Sequence, residues 1–160
     1  MADIWTQAAA LAACLCAEVT DDEGSSLCFC GVMAGDAVYD FAGIGECGDG
    51  KCGQAWVRVV SIYPSTRLGE ANTEARNCEV GMGADLEVGI LRCWPVEDDG
   101  EAVSPEVMIE VAQQQLADEL SLRTAVICCE SLENYILGMW NPVGPEGGLI
   151  GGFYTVYIGD

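Results

Sequence analysis

The chain has 160 residues, about half of them apolar, and carries 26 acidic side chains against 6 basic ones for a formal charge of −20. This length suits one domain over residues 1–160 with a sizeable core. The charge excludes nucleic-acid binding through a general basic surface, and no apolar run reaches the about eighteen residues of a transmembrane helix.

The chain contains no histidine. That removes mixed Cys/His zinc sites and every His-based acid–base or triad mechanism. Its ten cysteines are many, but a chain this long can fold without covalent staples.

Asp3 to Val19 reads as a helix, with Ile4, Ala8, Leu11 and Leu15 at three- and four-residue spacing and Asp3 as N-cap. Ala8–Cys16 has the length of a signal h-region, yet the residues before it include Asp3 and no Lys or Arg, which favours an amphipathic first helix. Thr20–Ser26 is a polar turn. Leu27–Val32 reads as a strand and Gly43–Gly53 as a glycine-rich loop. Gln54–Tyr63 is a strong strand, rich in β-branched and aromatic residues. Trp56, Arg58, Val60 and Ile62 share one face; Ala55, Val57, Val59 and Ser61 share the other. Pro64 stops it.

Ser65–Gly83 is polar, irregular and long for a loop, a candidate partner-contacting segment. Ala84–Trp94 is a strand with Leu86, Val88, Ile90 and Arg92 on one face, and Pro95–Glu101 is an acidic turn. A long helix follows, with Ser104 as N-cap, Pro105 at N1, and Val103 and Met108 placed for a hydrophobic staple. Met108, Ala112, Leu116 and Leu120 recur at intervals of four, Glu119 and Arg123 are spaced to pair, and the helix runs to about Cys128 with a candidate break near Ser121. Asn134–Trp140 and Leu149–Ile158 read as two strands of a hairpin joined by the turn Asn141–Gly148. No internal repeat is visible. The order predicts an α+β fold: a mostly antiparallel sheet, an N-terminal helix and one long helix before a C-terminal β-hairpin.

Cys14-Leu15-Cys16 and Cys28-Phe29-Cys30 leave one residue between thiols, where structural zinc sites leave two to four. Small buried apolar residues, with one or two disulfides among them, are the alternative. Cys47 and Cys52, four residues apart in a glycine loop, are the candidate local disulfide in an oxidising medium; Cys28–Cys30 and adjacent Cys128–Cys129 are poor pairs. The loop around Lys51 lacks the Gly-Lys-Ser/Thr ending of a P-loop. Glu46, Asp49, Asp98, Asp99 and Glu101 lack EF-hand spacing. Lys51 beside Cys52 is thin support for a nucleophilic thiol. No catalytic set, metal or cofactor is assigned. Arg58 and Arg92 lie on strands, either on solvated faces or bridging a subunit contact, where arginine is favoured.

Three segments carry a resemblance: Cys52–Ser65 (CGQAWVRVVSIYPS), Leu86–Cys93 (LEVGILRC) and Pro142–Phe153 (PVGPEGGLIGGF). They resemble virion proteins of actinobacteria-infecting siphophages, and the chain, from about Gln7 to Tyr157, looks like the tail-terminator member. The layout of helix, sheet, long helix and closing strand is also similar to terminators of the lambda type. The cysteine count and the Ser65–Gly83 segment depart from that pattern. The resemblance implies a non-enzymatic ring, a hexamer of identical subunits, that caps the tail tube, ends its polymerisation and joins it to the head–tail connector. It implies a virion location in the tail or neck after assembly in the host cytoplasm. The implied partners are further copies of the chain, the major tail tube protein and the connector or stopper protein, with genomic DNA passing through the lumen unbound and no membrane contact. Acidic residues such as Glu97, Asp98, Asp99 and Glu101 would then line the pore, where they repel passing DNA. The alternatives are another neck or minor structural protein, such as a stopper dominated by a small β-barrel, and a cysteine-dependent enzyme.

Overall fold

The computed structural model describes residues 3–20, 27–33, 47, 51–73, 80–95, 103–146 and 148–159. Helix α1 (Ile4–Val19) is followed by strands β1 (Phe29–Met33), β2 (Gln54–Pro64) and β3 (Met82–Cys93), helix α2 (Pro105–Ile127), and strands β4 (Tyr135–Glu146) and β5 (Leu149–Gly159). The strands form one sheet in the order β1-β2-β3-β5-β4. β1 runs parallel to β2, and every other pair is antiparallel. This is the expected α+β arrangement, with the long helix preceding the terminal hairpin.

Both helices start at side-chain caps. The Asp3 carboxylate accepts from the Thr6 amide at 2.7 Å, and the Ser104 hydroxyl accepts from the Val107 amide with Pro105 in the first turn. Each cap satisfies an amide that the helix itself leaves orphaned. α2 passes Ser121 without a break.

The main core lies between the helices and one sheet face. Ala8, Leu11 and Leu15 of α1 and Leu122, Ala125 and Val126 of α2 pack on Val57, Leu86, Val88, Ile90, Val156 and Ile158. A smaller cluster on the opposite face joins Met33, Trp56 and Leu91, backed by Val143, Leu149 and Phe153. Gly89 makes that cluster possible. The Trp56 ring lies against it, and a Cβ there would overlap the indole.

The faces of β2 depart from strict alternation. The register slips between Val59 and Ser61, a bulge that moves the following residues by one. Ser61 and Tyr63 therefore join Trp56 and Arg58 on the face that carries no helix among the described residues, here called the helix-free face, bonding to Asp85. Val60 and Ile62 leave that face and are exposed.

The hairpin also differs from expectation. Asn141, Pro142 and Val143 pair with Phe153, Gly152 and Gly151, so most of the expected turn is strand. β4 is an edge strand, where a proline's missing N–H costs no ladder bond. Part of the expected irregular segment is ordered by Ser65. Its Oγ accepts from the Arg67 amide at 3.1 Å and donates to the Glu70 carbonyl at 2.9 Å. Residues 74–79 lie outside the described ones.

The cysteines are paired far more widely than expected. The bridges are Cys14–Cys129, Cys16–Cys30, Cys28–Cys47 and Cys52–Cys93. The expected Cys47–Cys52 bridge is thus incorrect. Cys52 immediately precedes β2, which pairs with β3 and sets Cys93 at a Cα distance of 5.8 Å, while Cys47 reaches Cys28 at 5.7 Å. Both are ordinary bridging distances. Sequence proximity in a loop loses here to strand pairing. Cys128 is a free, exposed thiol, and Cys78 lies outside the described residues.

Candidate functional site

Both arginines offered for a subunit contact are paired within the chain. The Arg58 Nη2 donates to Glu87 Oε2 across the β2–β3 pair at 2.7 Å, and both side chains are largely buried. Glu87 also accepts from the Trp56 indole nitrogen at 3.0 Å. Arg92 lies on the helix side of β3 and forks onto Asp118 of α2, with Nε and Nη2 at 2.7 and 2.8 Å from the two carboxylate oxygens. The same physics explains both pairs. A guanidinium this far from water needs a carboxylate, and each finds one within the chain. The acidic residues Glu97, Asp98, Asp99 and Glu101 lie outside the described residues.

The helix-free face carries a polar row along β2 and β3. Beyond the Trp56–Glu87–Arg58 cluster, Asp85 accepts from Ser61 at 2.8 Å and from Tyr63 at 2.6 Å. Burial, and the hydrogen bond to Asp85, push the Tyr63 phenol well above its ordinary value. These carboxylates are consumed by internal donors. The row therefore braces the pairing of β2 with β3. Cys52, weighed as a nucleophile, is bound to Cys93.

On the opposite face, α2 is held by polar clamps. Gln114 donates to Asp118 at 3.0 Å, Gln115 donates to the Gly151 carbonyl, and the Tyr154 hydroxyl donates to Glu119, which also accepts from Arg123 at 3.0 Å. The Tyr154 hydrogen bond, followed by Arg123, lowers the Glu119 carboxyl. Burial, then the bond to Glu119, raises the Tyr154 phenol to about 12. A small pocket of about 70 Å³ opens beside this clamp, lined by residues such as Arg92, Val111 and Asp118. Its charged groups are already paired.

The clamp has a pH signature. The folded chain holds the Tyr154 proton more tightly than the unfolded chain, whose tyrosines titrate near ~10. The bond's contribution is complete below that pH and is lost as pH rises through about 12. Tyr154→Phe should cost about 1–2 kcal/mol near neutrality and flatten the alkaline fall in stability. Denaturant unfolding of both proteins from pH 8 to 12 checks this, and parallel curves would remove the clamp from the stability balance.

Among its polar residues α2 turns an apolar row outward. The row Met108, Leu116 and Leu120, with Ile109 and Ile127, is exposed, by 46% at Met108 and 67% at Leu116, and Ala112 is exposed beside it. The sheet side of the helix carries Asp118 with Leu122, Ala125 and Val126. A spacing of four located a stripe but not its direction. The signal that locates the inner side is Arg92, the one cation on the Leu86–Val88–Ile90 face, which requires a carboxylate on whatever packs there.

Two sheet edges complete the surface. β1 pairs only with β2 and β4 only with β5 among the described residues. Ile136 and Met139 of β4 are exposed, Met139 by 81%. No helix among the described residues is long and apolar enough to cross a membrane. The geometry offers surfaces for protein contacts: two unlike strand edges and one apolar helix face. No family model matches the chain, and no curated protein matches it.

Proposed function

We propose that the chain is a structural virion subunit, a siphophage tail terminator that closes into a ring on the tail tube, stops its growth and meets the head–tail connector. The sequence resemblance supplies the reading, and two unlike sheet edges, each with one strand partner among the described residues, support it best. An isologous dimer repeats one patch on both subunits, whereas joining β1 of one copy to β4 of the next is heterologous, the kind of contact that forms a ring when the rotation per subunit closes and a filament when it does not. An acidic surface suits a lumen through which DNA passes without adhering. Another neck protein is the competing structural role, and the open sheet with its 23-residue α2 favours the terminator over a barrel-like stopper. The four bridges then belong to the mature particle outside the reducing cytoplasm.

The native mass of the purified assembly, read with end-on negative-stain images, tests this. A closed ring of about six copies, alone or beside tail tube protein, is the expected result. A chain that stays monomeric in the presence of tube protein, or a ring with a basic lumen, overturns it.

A further inference from the structure

The outward face of α2 is built for a second copy of itself. Ile109, Leu116, Leu120 and Ile127 are each more than half exposed, and helical geometry places them within about 40° of one another around the axis. Their spacing is seven, four and seven residues, and their types read Ile-Leu-Leu-Ile. Both the spacing and the types are unchanged on reversal about Asp118. Met108 flanks this row, and Gln113 and Arg123 fill its two remaining heptad positions.

We infer that two copies pair through α2, antiparallel about a two-fold axis near Asp118, with Leu116 of each against Leu120 of the other and Ile109 against Ile127. In this register the six heptad positions pair a with d throughout. Arg123 falls against the second copy's neutral Gln113, whereas a parallel register would set Arg123 against Arg123. Charge permits the same occupant. Two chains of −20 repel, so a self-contact must be made where carboxylates are missing, and none lies among these positions. Glu106 and Glu110 lie exposed at the margin of the row beside Ile109, and Glu119, beside Leu120, is turned to Tyr154. The sheet side of α2 is held by Arg92, Gln115 and Tyr154, so the apolar face is left over for this purpose. The contact is isologous, distinct from the head-to-tail closure of a ring, and does not rest on that reading.

Sedimentation of the full chain over a range of concentrations, at low and high salt, is the test. A dimer is expected, tightened by salt as the mutual repulsion is screened. Leu116→Glu should weaken it by about a hundredfold or more by burying an unpaired charge, with the melting temperature of the monomer unchanged because the site is exposed. Leu116→Lys combined with Leu120→Glu should restore pairing to within about tenfold, since the antiparallel register sets lysine against glutamate. A wild-type chain that is monomeric at every concentration and salt overturns the inference. So does a dimer unaffected by Leu116→Glu, or one that the double variant leaves broken. A closed ring indifferent to Leu116→Glu overturns the pairing and leaves the ring proposal standing.

Discussion

Replacing Cys14 and Cys129 together with serine is expected to lower stability by about 4 kcal/mol and the melting temperature by roughly 10–15 °C. The bridge ties α1 to the residues just past α2 across 115 positions of sequence. Its value comes from the conformational freedom that it denies the unfolded chain, which grows only with the logarithm of loop length. The other bridges lie within that loop and shorten its effective length, yet the logarithm leaves most of the effect intact. Differential scanning calorimetry of the variant against the wild type, after peptide mapping without reduction has verified the four pairs, measures it. A shift of only a degree or two would mean that packing of Leu11, Leu15 and Leu122 already fixes the two helices without covalent help.

Glu87→Ala should be the most damaging single substitution on the helix-free face, costing about 3–5 kcal/mol. The carboxylate serves two donors, the Trp56 indole and the Arg58 guanidinium. Its removal takes an ion-pair partner from a largely buried cation and an acceptor from a buried N–H. Glu87→Gln should cost less, because its amide oxygen still accepts from one of them. Replacing Arg58 by methionine in the Glu87→Ala background should recover part of the loss, since the stranded charge is then gone. Urea unfolding of the three variants separates these terms. A loss below about 1 kcal/mol for Glu87→Ala would mean that water reaches Arg58 and the cluster is a surface pair.

Much of the fold was legible because local chemistry and global packing agree. Asp3 and Ser104 cap the helices they were expected to cap, and the β-branched run from Gln54 and the apolar row of β3 form strands that pair. Three features were not legible, each because a distant contact decided it. The bulge at Val60 follows from the β2–β3 register, and periodicity alone cannot place it. The disulfide partners depend on which strands lie side by side, so Cys52 meets a cysteine 41 positions away in preference to one in its own loop. The direction of α2 is set by Arg92–Asp118 and Tyr154–Glu119, polar pairs that outweigh the exposure of an apolar stripe. Of the site residues anticipated, Arg58 and Arg92 proved to be internal braces, and the surfaces best suited to protein contacts were edges and a helix face that no single residue type announces.

The disulfide pattern decides what a single proteolytic cut can do. Cys14 and Cys129 enclose the other three bridges within their span. A single backbone cut anywhere between those two positions therefore leaves one covalent molecule. A protease can nick the intervening loops without releasing a fragment, since the Cys14–Cys129 bridge still joins the two pieces. Damage that would dismantle an unbridged subunit becomes a scar.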